Sequence, residues 1–336
     1  MLPEKPLPAN SPRVFLLLAL GLLLVLALGA NASAEGPAKS EASRQSQQSR
    51  RAQQAQRAQR DELLCPARAV IGEPFLVRVR FAQPVKRAEL TFMGRSTPLA
   101  LRKSGSGAGS GMEAVAVLGA DVLDGRPGAQ EVAVRAIPAD EARGGRARVL
   151  KARVELVRIK RPVERLTLDP AMVTPPDEEL PRIARERALT RQALAHASAE
   201  RLWSLPFAHP VPGGLSSVYG IGRVLNGEPK APHRGLDLEA DTGQPVTAAA
   251  EGTVILTGGF YYAGNCVYLD HGQGLVSMYF HLSEVRVEQG QRVARGQLIG
   301  LAGDTGRSTR AHLHFGVSAL GRLVDPAPLF LYDALP

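Results

Sequence analysis

The alternation of apolar and polar residues predicts β-strands in the first half of the chain. Across residues 75–81, Phe and Val occupy every second position, which is the period of a strand with one buried face. The same period recurs at 132–136 and 149–159, and the breaks between these segments hold Gly-Ser or Pro-Gly clusters that are typical of turns. We therefore expect a small β-sandwich accessory domain at residues 63–163.

The second half of the chain begins with a predicted helix and then returns to β structure. The sequence Thr174-Pro175-Pro176-Asp177 is a helix-start signal, and the Ala- and Arg-rich residues 178–203 follow it. Three prolines between residues 206 and 212 end the helix and open another domain. We expect a linker with one helix at 164–204 and a C-terminal antiparallel β-sheet domain at 205–331, so the fold class is mostly β.

The N-terminal residues have the layout of an export signal. Basic residues precede an unbroken apolar run at 14–30, and Ala32-Ser33-Ala34 follows as a candidate cleavage site. The run is also close to the length that crosses a bilayer, so residues 1–34 are either a signal peptide or an N-terminal membrane anchor. Residues 35–62 read as a polar, Gln- and Arg-rich tether. In both cases we expect export to the periplasm or cell envelope, with residues 14–30 as an inner-membrane tether when they stay uncleaved.

The charge and the cysteines add two constraints. A formal net charge of +9 draws the surface to polyanions, and export excludes nucleic acid among them, leaving an anionic cell wall or a membrane surface. Cys65 and Cys266 fall in different predicted domains. They are either buried, unpaired thiols or one disulfide, and the sequence leaves both interpretations open.

Histidines carry the main chemical signal. Of the seven histidines in the chain, five lie between residues 233 and 314. Residues 311–317 alternate like a strand, so His312 and His314 are expected to project from the same face. A lone His-x-His pair is more often structural than metal-binding. A catalytic zinc, however, needs three His or carboxylate ligands and an open position for water, and this cluster could supply them.

Motifs around these histidines resemble the lysostaphin/LytM family of zinc metalloendopeptidases, which are peptidoglycan hydrolases. In chain order the motifs are His233-Arg234-Gly235-Leu236-Asp237, Ala250-Glu251-Gly252-Thr253-Val254, Tyr279-Phe280-His281-Leu282, Gly290-Gln291-Arg292-Val293, and Gly303-Asp304-Thr305-Gly306-Arg307-Ser308-Thr309 leading into His312-Leu313-His314-Phe315. The resemblance covers residues 205–330 and implies a LytM-like peptidase domain, whose fold is related to the hairpins of carrier barrels.

The resemblance implies an active enzyme with one Zn2+ per chain. His233, Asp237 and His314 match the zinc ligands of the family, and His281 and His312 match its catalytic histidines. A zinc ion held by two imidazoles and one carboxylate is a strong Lewis acid that acidifies a water, so the mechanism needs no nucleophilic Ser or Cys. Further residues that we expect near the substrate are Tyr279, Arg307, Ser308 and Thr309.

The resemblance also implies a substrate, the peptide cross-links of peptidoglycan. Family members cut either glycine bridges or the bond from D-Ala to a diamino acid. An exported, tethered chain with an accessory domain most resembles the second type, a D,D-endopeptidase of the Gram-negative envelope. The predicted β-sandwich has no cluster with catalytic spacing and is expected to be a spacer or to bind an envelope partner.

Two rival interpretations come from other functional classes. Residues 285–298 resemble half of a biotin- or lipoyl-carrier barrel, but the chain has no lysine after Lys230 to carry the group, which excludes that role. A catalytically silent adaptor of the same fold, which binds wall peptides or activates an amidase, would have lost site residues. All five matching residues are present, which favours the enzyme.

Overall fold

A computed structural model describes the protein at Ser46 and at residues 60–331, apart from 105–110, 140–145 and 168–172. The predicted signal or anchor at 1–34 and nearly all of the predicted tether lie outside the described residues. The architecture below belongs to the compact unit that begins at Gln53. Within the described ranges, no helix is long and apolar enough to cross a membrane.

The N-terminal half of this unit is a sandwich of two β-sheets. Its strands are β1 (Glu62–Leu64), β2 (Arg68–Val70), β3 (Phe75–Phe81), β4 (Val85–Phe92), β5 (Arg95–Pro98), β6 (Arg102–Ser104), β7 (Gly111–Leu118), β8 (Gly128–Pro138) and β9 (Arg148–Val157). One sheet has the order β1-β3-β7-β6 and the other β2-β9-β8-β4-β5. All pairs are antiparallel except β2 with β9. The strands predicted from alternation at 75–81, 132–136 and 149–159 are confirmed as β3, β8 and β9.

Strand β7 is buried on both faces and joins the sandwich to the rest of the unit. Ala114 and Ala116 pack in the core between the two sandwich sheets. Val115 and Val117, on the opposite face of the strand, belong to the core of the C-terminal half. Because successive side chains of a strand point to opposite faces, one strand contributes to both cores. The two halves therefore pack against each other through this strand.

The C-terminal half is also built mainly of strands. They are β10 (Val163–Leu166), β11 (Leu215–Ser217), β12 (Gly222–Leu225), β13 (Glu228–Lys230), β14 (Leu236–Leu238), β15 (Pro245–Thr247), β16 (Gly252–Phe260), β17 (Gly264–Asp270), β18 (Leu275–Val285), β19 (Arg292–Val293), β20 (Leu298–Ala302), β21 (Leu313–Ala319) and β22 (Arg322–Val324). Among the described residues of this half, the helical elements include α1 (Leu180–Leu194) and the 3-10 helices Asp177–Glu179 and Ala327–Phe330. The mostly β fold class and the linker helix are confirmed, although the helix ends at Leu194.

A large, mostly antiparallel sheet organises this half, with the order β11-β14-β21-β18-β17-β16-β19 and with β15, β20 and β22 attached. One face packs on the core that includes Val115 and Val117. On the other face, α1 covers β16 to β18, and Thr190 contacts the hydroxyl of Tyr268 at 3.3 Å. A separate small sheet, β10-β12-β13, includes one strand from the predicted linker.

The two cysteines do not pair. Cys65 is partly exposed and Cys266 is fully buried, and both are free thiols. Of the two interpretations of the sequence, unpaired thiols or one disulfide, the structure therefore shows unpaired thiols. Cys266 lies in the apolar layer beneath α1, where it fills space as a small hydrophobic residue.

Candidate metal centre

The candidate centre is assembled by strand pairing. Asp237 on β14 lies directly opposite His314 on β21. Leu236, Leu238, Leu313 and Phe315 point into the buried core, so alternation turns Asp237 and His314 out of the other face of the sheet. Since directly opposed residues have side chains in contact, the register alone brings these two groups together.

His233, in the loop before β14, completes a triad. Its Nε2 atom lies 3.0 Å from Asp237 Oδ1 and 3.0 Å from His314 Nδ1, and the last two atoms are 2.8 Å apart. These are the three side chains of the described residues that could hold a metal ion together. A tetrahedral zinc site with bonds of 2.0–2.2 Å places its ligand atoms about 3.3 Å apart. An opening of a few tenths of an ångström would therefore admit the ion, and the donor set fits zinc.

The ring of His233 is oriented by the backbone on its other side. Its Nδ1 donates to the carbonyl of Val218 at 3.0 Å, and Ser217 Oγ is 3.2 Å away. This bond places the proton on Nδ1 and leaves the Nε2 lone pair facing Asp237 and His314. Such a carbonyl partner behind a ligating imidazole is usual in metal sites, because it fixes both the tautomer and the ring angle.

The electrostatics favour the protonation states that a metal needs. Burial alone would raise the pKa of Asp237, but the contacts with His233 and His314 outweigh it and hold that pKa well below its ordinary value. Burial lowers the pKa of His314. Ionised carboxylate and neutral imidazole are the forms that coordinate metal ions.

Two further imidazoles stand beside the triad. The rings of His281 and His312 are 4.7 Å apart between centroids, and His312 Nε2 is 3.6 Å from Asp237 Oδ1. His281 Nδ1 donates to the carbonyl of Thr305 at 2.8 Å, and His312 Nδ1 donates to that of Arg310 at 2.9 Å. Both rings thus keep Nε2 free of backbone partners. Burial lowers the pKa of His281 to about 4, so this ring is neutral near pH 7.

His281 reaches the site through an irregularity in its strand. Its φ is +64°, a left-handed conformation that is uncommon for a residue with a side chain. The pairing of β18 with β17 shifts register between Asn265 and Val267, and that with β20 shifts between Leu282 and Glu284. Left-handed residues of this kind concentrate at functional sites, where the surrounding structure maintains them.

The placement of Tyr279 near the substrate is wrong. In a regular strand Tyr279 would share a face with His281, but the irregularity at His281 breaks that alternation. Tyr279 is fully buried, and its hydroxyl accepts a hydrogen bond from the backbone N–H of Ala249 at 2.8 Å. The same hydroxyl is 3.0 Å from Ser277 Oγ. Tyr279 therefore belongs to the core beneath the sheet and not to the cleft.

The loop before His312 holds the other predicted substrate residues. Arg307 lies over the ring of Tyr262 at 4.5 Å. Ser308 Oγ donates to the carbonyl of Arg310 at 2.6 Å and is 3.3 Å from His312 Nδ1, so it supports a catalytic candidate. Thr309 is exposed at the rim. The structure thus brings all five predicted metal and catalytic residues together, with this loop at their edge.

Sequence reasoning missed several residues that shape the site. Arg223 on β12 places Nη2 3.6 Å from Asp237 Oδ2. Phe280 stacks on His314 with ring centroids 5.3 Å apart. Thr305, whose carbonyl orients His281, could have been found because it lies in the glycine-framed motif before the histidine pair. No motif in the sequence marks Arg223, because its position beside Asp237 results from the pairing of strands outside the histidine motifs.

Comparisons with known proteins agree with this geometry. The profile of Peptidase family M23 matches residues 231–326, a range that contains all five site residues. A crystal structure from Pseudomonas aeruginosa, assigned to peptidase M23, is 30% identical and covers 78% of this chain and 94% of its own, with a TM-score of 0.57. This similarity extends beyond the peptidase region into the sandwich.

Two curated relatives are similar over shorter stretches. Peptidoglycan DD-endopeptidase ShyA of Vibrio cholerae serotype O1 is 45% identical over 95 residues, which are 28% of this chain and 22% of the relative. DD-carboxypeptidase/endopeptidase Mpg of Neisseria meningitidis serogroup B is 39% identical over 99 residues, which are 30% of this chain and 23% of the relative. The chain thus aligns with less than a quarter of the length of each of these curated proteins.

Proposed function

Because the chain belongs to peptidase family M23, we propose that it is a zinc-dependent endopeptidase that hydrolyses peptide cross-links of peptidoglycan. The observation that carries the proposal is the convergence of His233 Nε2, Asp237 Oδ1 and His314 Nδ1 within 3.0 Å of one another. Metal binding is the best explanation for two imidazoles and a carboxylate that converge at one point outside the core.

The proposed bond is the one from D-Ala to a diamino acid. The support is that ShyA is named a peptidoglycan DD-endopeptidase and Mpg a DD-carboxypeptidase/endopeptidase. The basic surface, with a net charge of +9, suits an anionic cell wall as its surroundings. The proposal also includes an export signal at the N-terminus and a role of the sandwich in binding an envelope partner. It divides the chain into the sandwich at residues 63–163, the linker at 164–204 and the peptidase domain at 205–331.

In the proposed reaction, His233, Asp237 and His314 would hold the zinc ion. A bound zinc ion supplies Lewis-acid chemistry, which polarises the scissile carbonyl and acidifies a water. His281 and His312 each donate the Nδ1 proton to a backbone carbonyl, which leaves both Nε2 atoms without a backbone partner beside the triad. We assign to these nitrogens the uptake of a proton from the attacking water and its transfer to the leaving amine, and, while protonated, a hydrogen bond to the developing oxyanion.

The test compares the full chain with single variants of the site, using zinc content by mass spectrometry and muropeptide release from purified peptidoglycan. The parent protein should hold about one zinc per chain and convert cross-linked dimers to monomers. His314→Ala should lose both properties, because it removes a ligand. His312→Gln should keep the metal and lose turnover, because its ring contacts the reacting region without belonging to the triad. His196→Gln, at an exposed position, is the matched control.

The outcomes separate the enzyme from its rival. A parent protein that binds zinc and cleaves no cross-link would replace the peptidase with the catalytically silent adaptor. A parent protein that binds no zinc, or a His314→Ala variant that keeps both zinc and activity, would remove the proposed site altogether.

A further inference from the structure

A positive charge stands next to the candidate metal centre and is only loosely paired. Arg223 Nη2 is 3.6 Å from Asp237 Oδ2, and its Nε is 3.9 Å from Glu164 Oε2. Both distances exceed 3.5 Å and are too long for a hydrogen bond. The Nε atom is buried without a hydrogen-bond partner among the described residues. A guanidinium with five donors and no hydrogen bond is poised to bind an anion.

The fold, not a flexible loop, holds this guanidinium in place. Arg223 lies in the middle of the small sheet, where its backbone is paired with Glu164 on β10 and with Lys230 on β13. Lys230 is engaged by Glu228 at 2.6 Å. The side chain of Arg223 is 26% exposed, so a ligand in the cleft can reach it while the stem stays packed. Sites on rigid strands keep their geometry better than sites on loops.

A second guanidinium belongs to the loop before His312, at the edge of the centre. Arg307 makes no ion pair within the described part of the chain and lies over Tyr262 at 4.5 Å. Of the two carboxylates within 4.0 Å of Arg223 among the residues described, Asp237 belongs to the metal triad and Glu164 does not. Arg223 beside Asp237 and Arg307 in the loop before His312 thus add positive charge to the edge of the cleft.

The proposed substrate carries an anion at a matching position. In a cross-link from D-Ala to a diamino acid, the carbon attached to the scissile amide nitrogen also bears a carboxylate. That carboxylate carbon is three bonds from the scissile carbonyl carbon, within about 4 Å of it. When the carbonyl lies at the metal centre, the carboxylate lies within a few ångströms of it, and Arg223, 3.6 Å from Asp237, is close enough to bind it.

We infer that Arg223 is a specificity-determining residue that binds the free carboxylate adjacent to the scissile amide. This inference rests on the proposed function and specifies the substrate class: cross-links whose amine-side residue has an unmodified carboxylate. Arginine suits the role, because its planar fork binds a carboxylate through two parallel hydrogen bonds. In the absence of substrate the charge is partly balanced by Asp237 and Glu164.

The test uses the zinc-loaded full chain and two synthetic cross-linked peptide dimers that differ only in that carboxylate, which is free in one and amidated in the other. The parent protein should cleave the free form with a kcat/KM about 10- to 100-fold higher, the range expected of a charge-assisted hydrogen bond. Most of the difference should be in KM. In Arg223→Gln the ratio should fall to about threefold or less, and Arg223→Lys should be intermediate because it keeps the charge without the fork. Arg286→Gln, which changes an arginine paired with Glu284, is the control and should keep the parent ratio.

Equilibrium binding of the amine-side product peptide, free or amidated, gives a readout that does not depend on turnover. The parent protein should bind the free form more tightly, and Arg223→Gln should bind both forms alike. Equal treatment of the two forms by the parent protein, or a preference that survives in Arg223→Gln, would overturn the inference. Loss of zinc from Arg223→Gln together with an unchanged preference would also overturn it, because Arg223 would then only position Asp237. A parent protein that binds the free product more tightly but cleaves neither dimer would keep this inference and remove the proposed peptidase activity.

Discussion

Gly235 lies directly against the imidazole of His314. A Cβ atom at Gly235 would come within 2.5 Å of His314 Nε2 and within 2.7 Å of the Phe315 carbonyl oxygen. The candidate metal centre therefore requires a glycine at position 235, between His233 and Asp237. The backbone of one strand approaches the ring of its neighbour more closely than any other residue would allow.

The first prediction follows from that contact. Gly235→Ala should displace His314 and weaken zinc binding by at least about tenfold, since a 1 Å displacement of a ligand is large against the tolerance of a metal site. The measurement is zinc affinity by competition with a chelator. Gly214→Ala is the control, because its Cβ would meet nothing closer than Glu239 at 3.4 Å. Parent-like affinity in Gly235→Ala would show that His314 is not a ligand in this arrangement.

The second prediction concerns the junction between the sandwich and the C-terminal half. Buried Asp121 accepts hydrogen bonds from the backbone N–H groups of Leu123 and Leu323 at 3.0 and 3.3 Å, and it pairs with Arg234 at 3.5 Å. Asp121→Ala leaves these donors without an acceptor and should lower the free energy of unfolding by about 2 kcal/mol. Urea denaturation followed by fluorescence measures this change.

The exposed Asp124 provides the control for that experiment. Asp124→Ala should change the free energy of unfolding by about 0.5 kcal/mol or less. Because β7 contributes to both cores, we also expect one unfolding transition, which Asp121→Ala moves to lower urea as a whole. Two separate transitions in the parent protein would contradict this coupling.

The third prediction is a pH dependence that arises from His271. This side chain is fully buried, with Nδ1 at 2.6 Å from the Glu251 carbonyl and Nε2 at 2.7 Å from Ser277 Oγ. Burial lowers its pKa, so the folded protein keeps the ring neutral at a pH where the unfolded chain, with a pKa near 6.5, takes up a proton. Stability is then complete above pH 6.5 and falls as the pH drops below it, by at most about 1.4 kcal/mol per pH unit.

The measurement compares the parent protein with His271→Asn, which cannot titrate. The difference between their free energies of unfolding should be constant from pH 7.0 to 8.5, which serves as the internal control. It should shrink as the pH falls from about 6.5 to 5. A difference that stays constant over the whole range would mean that His271 titrates alike in the folded and unfolded states.

The fourth prediction concerns thiol reactivity. Burial raises the pKa of Cys266 to about 12 and that of Cys65 to about 11. Since the thiolate is the reactive form, both thiols should react slowly with a disulfide reagent at pH 8 in the native protein. Cys65, which is partly exposed, should react before the fully buried Cys266. Both should react at once in denaturant, and rapid native labelling of Cys266 would place it outside the apolar layer beneath α1.

Much of the fold follows from local sequence patterns. The alternation in 75–81 predicts β3 with its bounds, and the prolines around 175 mark the start of the helical segment that becomes α1. The period of two also predicts that His312 and His314 share a face. These inferences succeed because periodicity records which face of an element is buried, and that is a local property of the chain.

The same rule fails where the backbone leaves its regular conformation. Tyr279 and His281 are two apart on one strand, and alternation places them together. The left-handed φ of His281 and the register shift beside it separate them, so one side chain enters the core and the other faces the metal centre. Nothing in the residues around His281 marks this irregularity, because residues 275–285 contain neither glycine nor proline.

By itself the sequence determined the class of structure, three strands of the sandwich and the linker helix, because alternation and helix-start signals are local properties of the chain. It also indicated the five residues of the candidate centre, through motifs that resemble a known family. Only the tertiary structure decided that β7 joins both cores, that Tyr279 is buried, and that Arg223 stands beside Asp237. The physical reason is that these facts depend on the register between strands distant in sequence, as Asp237 opposite His314 depends on the pairing of β14 with β21. Local patterns show which face of a strand is buried, whereas its neighbours are chosen by the packing of the whole sheet.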